Sequence, residues 1–379
     1  MYPNLQVTIW SDPQERPQDF VESTMNHSGL QFGTDAHGGF GECSFQVPVT
    51  GWNAVRWYRS YVGFHVKILD HLGRSVYEGR IEDTEASSDG VKVNAAGYIS
   101  HATEIIGGIT YPLSTPTTAS DIVKDTVGLS NIWTKDYSMI QNTVTDITPQ
   151  DFLIDKKLKD AIDVSVKFGN DDVLYPKPMY FAIWDNRRPH FYEEPDLSGD
   201  VNWRVYMKDF SSSGGLSLSR SRDKVYNKIQ AIYDDPLIGQ TLAWDGTSEW
   251  AEDLDSQRLF GVRMATINAG SCENDIAVVI RDLALKTYAY PMQSSTFGVS
   301  SRIYNVAGHP DYPYMVRGGQ TLQVMDYDPT ASHMINGESG RDTSKAFILS
   351  TKYSADKNEL SLELGSRNMS MDILMARLG

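Results

Sequence analysis

Arg317-Gly318-Gly319-Gln320-Thr321-Leu322-Gln323-Val324-Met325-Asp326-Tyr327 and, further on, Phe347-Ile348-Leu349-Ser350-Thr351-Lys352-Tyr353-Ser354-Ala355-Asp356-Lys357-Asn358-Glu359-Leu360-Ser361-Leu362-Glu363-Leu364-Gly365 decide the reading of the fold. Successive side chains of a strand point to opposite faces, so Leu322 and Val324 share one face and Thr321, Gln323 and Met325 the other. Phe347, Leu349, Thr351 and Tyr353 alternate in the same way. Ala355 to Asn358 is a polar turn in which Asp or Asn tolerates the backbone of a tight reversal. Leu360, Leu362 and Leu364 return as a second alternating strand, and together the two runs predict a hairpin that closes a β domain.

Working outward, residues 1–105 also carry the period of strands. Leu5 to Trp10 alternates, and Gly38 to Pro48 is a glycine-rich turn leading into a strand. Val62 to Leu69 and Val76 to Glu82 flank a turn at His71 to Arg74. Asp89-Gly90 is a hairpin signal before Val91 to Tyr98. Residues 106–200 change character and predict a mixed α/β domain. A helix is expected over Thr118 to Val127, with Ser120 able to cap it, and a short one after Thr148. Lys159 to Phe168 suits helix or strand, and Pro178 to Asp185 is a strand before a turn at Asn186 to Pro189. Residues 201–235 return to β, with Leu216 to Asp223 leading into Val225 to Tyr233, and residues 236–270 are a polar excursion. Residues 274–290 form the best helix, with an apolar stripe of Ile276, Val279, Ile280, Leu283 and Ala284 and a stop at Pro291. No repeat of fixed period and no low-complexity tract is present.

The order of these motifs resembles a known family. Gly-Gly-Gln before a strand, an Asp-x-Asp-Pro break at Asp326 to Pro329, Phe-Ile-Leu-Ser-Thr-Lys-Tyr, an Asp/Asn turn and Leu-Ser-Leu-Glu-Leu-Gly resemble the C-terminal barrel of tail-hub proteins of tailed phages. That family is related to the baseplate hub of contractile tails and to the base of type VI secretion spikes. Val225-Tyr226-Asn227 is similar to the strand opening the hub's second barrel. Ser256 to Arg263 and the helix up to Pro291 are similar to the insertion that interrupts that barrel. The resemblance implies a mainly β chain with two tail-tube-like antiparallel barrels, an inserted α/β middle region and one long helix. Its parts would be 1–105 (first barrel), 106–200 (middle domain), 201–235 with 296–365 (second, discontinuous barrel), 236–295 (insertion) and 366–379 (C-terminal tail).

Composition narrows the function. The 379 residues carry 34 Lys and Arg against 49 Asp and Glu, a formal charge of −15, with a pI near 4.9. Such a surface repels phosphate and disfavours ordinary DNA binding, yet it suits a lumen through which DNA slides without sticking. Cys43 and Cys272 are too few and too far apart for a disulfide scaffold or a cysteine zinc site. The first residues lack the pattern of a signal peptide, and no apolar run approaches the ~20 residues needed to span a bilayer.

Motifs of catalysis are weak. Gly39-Phe40-Gly41 lacks the third glycine of a dinucleotide fingerprint, since Ser44 stands in that place. There is no P-loop and no nucleophile elbow. His101-Ala102-Thr103-Glu104 is not a zincin motif, and the eight His form no closely spaced ligand pair. Asp253-Leu254-Asp255 and Asp234-Asp235 lack the invariant features of a calcium loop and suit solvated acidic turns.

No catalysis, cofactor or metal is therefore expected. The resemblance implies a homotrimer that adapts a hexameric tail tube to a trimeric spike or fibre. Its partners would be a tail tube or distal tail protein, a spike or tail-fibre protein and a tape-measure protein. Genome DNA would pass without specific binding, and the protein would reside in the virion tail after assembly in the host cytoplasm. The alternatives are a cell-wall-degrading tail-tip enzyme and a hexameric distal-tail or tube protein. Glu78, Glu82, Asp83 and Glu85 cluster around one strand and its following loop and are the nominated lumen-facing acids. Met371, Leu374, Met375 and Leu378 form an amphipathic stripe nominated to dock a partner.

Overall fold

The closing hairpin forms as its alternation dictates. In a computed structural model of the chain, Lys345–Ser354 pairs antiparallel with Glu359–Leu364, and Leu360, Leu362 and Leu364 are buried. Burying each such side chain is worth roughly 1.5–3 kcal/mol as an upper estimate. Asn358 supplies the left-handed turn residue, with φ 47°, and its Oδ1 accepts a hydrogen bond from the Tyr353 hydroxyl at 2.8 Å. The structure describes residues 4–108, 117–144, 146–147, 154–168, 179–195, 200–206, 209, 217–220, 225–235, 239–271, 274–289, 293–299, 302–325 and 345–365.

The first β domain is one antiparallel run. In spatial order its strands are Phe20–Thr24, Gln6–Trp10, His65–Leu69, Ser75–Ser87, Gly90–Ala96, Gly38–Val47 and Ser28–Asp35. Val7, Ile9, Val66, Ile68, Tyr77, Ile81, Val91, Val93 and Phe45 alternate into its core. The expected hairpin at Asp89-Gly90 is present, with Gly90 at φ 134°. A helix the strand pattern did not announce, Gly51–Ser60, lies over this sheet. Trp57 and Tyr61, one turn apart, anchor it by burial against Phe45 and Phe64.

The two β domains share a single sheet. The free edge of Ser28–Asp35 pairs with Lys345–Ser354, placing Thr34 opposite Thr351 and Phe32 opposite Tyr353. Beyond the closing hairpin the ladder continues through Gln293–Val299 to Ser217–Arg220. Thr321–Met325 pairs antiparallel with Lys345–Ser354 and parallel with Trp203–Tyr206, which also meets Ile303–Asn305. A bulge between Ile348 and Ser350 lets neighbouring residues serve different cores. Phe347 packs on Ala36 and Tyr180, while Ile348 joins the main core. The fold is thus mainly β; no closed ring of strand pairings is traced among the described residues.

The middle region is mixed α/β. Helices Ala119–Leu129 and Leu158–Phe168 pack against each other and against the hairpin Met179–Trp184 with Arg188–Glu193. The first helix is capped by Thr118, whose hydroxyl accepts from Asp121 N–H. Ser120 instead sits inside the helix and exchanges hydrogen bonds with Thr143 at 3.0 and 3.1 Å, which corrects the cap assignment. Met179–Trp184 is buried along its whole length because its two faces serve different cores. Ala182 and Trp184 face the β-domain core, and Phe181 and Ile183 face the helices. This strand runs parallel to Gly38-Gly39, so close that a Cβ on Gly39 would lie 2.1 Å from the Ile183 carbonyl oxygen. The short helix expected after Thr148 falls outside the described residues.

Strand Lys228–Asp235 departs from the expected grouping. It lies in a separate four-stranded sheet with Gly239–Leu242, Trp250–Glu252 and, in parallel, Met264–Ser271. Alternation of Ile229, Ala231 and Tyr233 announced a strand but not its partners, and every partner comes from the expected insertion. The long helix, Asn274–Tyr288, covers this sheet. Ala277, Ile280 and Ala284 are fully buried, whereas Val279 is only half-buried. Arg281 is buried beside them and pairs with Asp245 at 2.8 Å. The side chains of Ile276 and Leu283 lie outside what is described.

Candidate functional site at the junction of the β domains

Gly318-Gly319-Gln320 sits on the seam between the two β domains, and each residue has a separate reason to be there. Gly318 donates its N–H to Thr34 Oγ1 at 2.8 Å, and that hydroxyl lies 2.6 Å from the buried Thr351 hydroxyl across the seam. A Cβ on Gly318 would fall 2.5 Å from the Ala36 nitrogen. Gly319 has φ +84° and donates to the Ile348 carbonyl, while Ile348 donates back to Gln320. The Gln320 side-chain oxygen accepts from Arg317 N–H at 2.8 Å and from the Trp203 indole at 2.7 Å.

Two arginines fasten this junction. Arg317 donates to both carboxylate oxygens of Asp185, at 2.5 and 3.2 Å, and to the Ser75 carbonyl at 2.9 Å. Its guanidinium lies 5.0 Å from the Phe40 ring centroid and 5.5 Å from that of Trp184. One side chain thereby touches the first β domain, the middle region and its own second β domain. Arg74 forms a bidentate pair with Asp311, both bonds 2.9 Å, and also donates to buried Asp70. These pairs were invisible as sites in the sequence because their partners are remote along the chain.

The nominated acids separate into two groups. Glu82, Asp83 and Glu85 are exposed on Ser75–Ser87. Glu82 pairs with Arg80 at 2.9 Å, and Asp83 accepts from Asn94 at 2.6 Å. Glu78 is only 1% exposed and cannot face passing DNA, which corrects its nomination. The first half of this strand is covered on both faces. Tyr77 and Ile81 point into the core, while Glu78 lies under the loop containing Glu15 and the turn at Asp185 to Arg187.

Glu78, Glu15 and His65 bring their ligand atoms within 4.8 Å of one another. His65 Nδ1 is hydrogen-bonded to the Tyr98 hydroxyl at 2.5 Å, and its Nε2 lies 3.1 Å from Glu15 Oε1. Lys67 donates to both Glu15 oxygens at 2.7 and 2.9 Å. Burial acts to raise the Glu15 carboxyl, but hydrogen bonds from His65 and Lys67 outweigh it and hold the group at about 2. Burial pushes the Glu78 carboxyl up to about 7, and it drives His65 down towards the neutral ring against the pull of Glu15. The signal for this cluster was partly legible. His65 and Lys67 share a strand face, and in the hairpin register Lys67 stands opposite Glu78. The contribution of Glu15 was not, because a loop delivers it.

The motifs set aside in the sequence have ordinary structural roles. Asp253 caps helix Leu254–Phe260 by accepting from Ser256 N–H, and Asp234 and Asp235 belong to a paired strand. His101 contacts Glu104 at 3.4 Å and stacks edge-on with Trp133. Met371, Leu374, Met375 and Leu378 lie outside the described residues. Among the described residues no helix is long and apolar enough to cross a membrane.

No family model and no curated protein matches the sequence. Solved structures do match over essentially the whole chain. The 43 kDa tail protein of prophage MuSo2 from Shewanella oneidensis superposes with a TM-score of 0.58 at 10% identity, covering 98% of each chain. The prophage tail protein gp18 from Listeria monocytogenes EGD-e gives 0.56 at 13% identity, covering 99% of this chain and 98% of its own. A chain of the Francisella PdpA–VgrG complex gives 0.51 at 11% identity, and there 96% of this chain spans 52% of the other. The chain has the fold of these phage tail proteins.

Proposed function

We propose that the protein is a structural hub of a phage or phage-like tail. Three copies form a ring that joins a hexameric tail tube or distal tail protein to a trimeric spike or fibre. The observation that carries this reading is the whole-length likeness to prophage tail proteins in both directions, with both β domains included. The rigid seam supports it physically. Two β domains locked into one sheet can present two similar surfaces per chain, so three chains offer six to a sixfold tube. Such a ring requires heterologous contacts that close on themselves. The likeness to a chain of a PdpA–VgrG complex supports a spike on the other side.

In this reading the role is non-enzymatic, the location is the virion tail after assembly in the host cytoplasm, and a tape-measure protein enters the ring during assembly. DNA passes through without specific binding. The exposed acids Glu82, Asp83 and Glu85 are proposed to face that passage, where like charge repels phosphate within a Debye length of about 8 Å at physiological salt. The test is the mass of the assembled hub by native mass spectrometry, alongside a peptidoglycan hydrolysis assay. Three chains and no hydrolysis support the proposal. Six chains point to a tube or distal-tail protein, and hydrolysis points to a tail-tip enzyme.

A further inference from the structure

We propose that Glu15, His65 and Glu78 form a binding site for one divalent transition cation of the zinc class, bridging the loop between Ser11 and Asp19 to the first β sheet. The donor set is one imidazole and two carboxylates, which suits a borderline cation better than calcium, whose sites are built from six to eight oxygens.

The spacing fits. His65 Nε2 lies 3.1 Å from Glu15 Oε1 and 3.7 Å from Glu78 Oε1. A tetrahedral cation with bonds of about 2.1 Å has edges of roughly 3.4 Å between ligand atoms. All three donor atoms lie within 4.8 Å of one another, so the two carboxylates would turn inward to reach such a vertex arrangement. A fourth position would open towards the partly exposed Glu15, where water can enter.

A second observation points to a ligand. Glu78 is buried, one of its oxygens accepts the Asn186 N–H at 2.6 Å, and the other, Oε1, has no hydrogen-bond partner among the described residues. That orphan oxygen faces His65 Nε2, at a distance too long for a hydrogen bond. Buried carboxylate oxygens are ordinarily satisfied, and a cation between Glu78, His65 and Glu15 would satisfy this one. The outer contacts are those of a supported ligand set. The Tyr98 hydroxyl fixes the imidazole through Nδ1, and Asn186 fixes Glu78.

Lys67 is the competitor. Its ammonium already holds both Glu15 oxygens, and the cation would take Oε1 while leaving Oε2 to Lys67. Removing Lys67 should therefore tighten cation binding, an effect a purely structural ion pair would not give.

The full chain, stripped with a chelator, is titrated with zinc chloride by calorimetry and native mass spectrometry. One saturable zinc per chain is expected, weakened about tenfold or more in Glu78→Gln and in Glu15→Gln, and strengthened in Lys67→Gln. His101→Gln, which removes the unrelated His101 and Glu104 contact, should leave it unchanged. Absence of saturable binding, or full binding in Glu78→Gln, overturns the proposal. Should the glutamine variants fail to fold, cobalt substitution of the unaltered chain decides. Visible bands of a tetrahedral cobalt centre, quenched by equimolar zinc, support the site, and bound cobalt without them contradicts it.

Discussion

Phe32 and Tyr353 stand opposite each other across the seam between the two β domains, their ring centroids 5.3 Å apart. One comes from the first β domain and the other from the closing hairpin, so strand pairing and aromatic packing coincide where the domains join. The same seam carries the Thr34 and Thr351 hydroxyl pair and the Gly318 N–H. A joint held by backbone ladder, buried polar bonds and aromatic contact should behave as one rigid body.

Gly318→Ala tests the closeness of that joint. The added methyl would lie 2.5 Å from backbone atoms of Asp35 and Ala36, so the turn carrying Gly318 must move away from the end of Ser28–Asp35. A loss of about 1–3 kcal/mol is expected from urea unfolding of the purified chain. An unchanged midpoint would show that the seam is looser than described.

Ile280→Asp tests the packing of the long helix. Ile280 is fully buried against Ala231, Tyr233, Ala243 and Ala269, and an aspartate there would put a charge among apolar side chains. A loss of about 4 kcal/mol or more is expected, against about 1 kcal/mol for Ile280→Val. Equal melting temperatures for Ile280→Asp and the unaltered chain would refute the assignment.

Arg74 and Asp311 should make the seam acid-sensitive. Burial acts to raise the Asp311 carboxyl, but the hydrogen bonds from Arg74 outweigh it and hold the group below its ordinary range. A depressed carboxyl stabilises the fold fully above the unfolded value of about 3.9 and loses that contribution as pH falls through the lower folded value. Asp311→Asn should therefore cost about 1 kcal/mol at neutral pH and nothing at the acid end, as read from stability curves against pH. A pH-independent difference would remove Arg74 from the account.

How much of this was legible in sequence depends on whether a feature is local. Leu360, Leu362 and Leu364 announced their strand because period-2 burial needs no knowledge of the partner. The long helix was equally plain, although Ala277 rather than Val279 faces the sheet, since small residues carry little signal in an apolar stripe. Lys228–Asp235 was recognised as a strand but grouped with the wrong neighbours, because partner choice is set by the chain that folds back on it. Glu78 misled for a related reason. On a strand with one open face it would be solvated, but the Glu15 loop and the Asn186 turn lie over it. Arg317 and Arg74 carry no local signal of their roles, because their partners Asp185 and Asp311 are remote along the chain.

Deleting residues 366–379 should impair assembly more than folding. The last strand is already closed when Gly365 donates its N–H to the Phe347 carbonyl at 3.0 Å. The truncated chain is expected to keep its melting temperature and fail to enter particles. Intact particles containing it would exclude Met371, Leu374, Met375 and Leu378 as a docking stripe.

An averaged electron-microscopy map of the assembled tail tip tests the central claim most directly. The account predicts a threefold ring in which each chain contributes both β domains around one channel. The channel wall should carry more Asp and Glu than Lys and Arg, with Glu82, Asp83 and Glu85 among its acids and Glu78 buried behind them. A basic inner wall, or a closed ring without threefold symmetry, would contradict it.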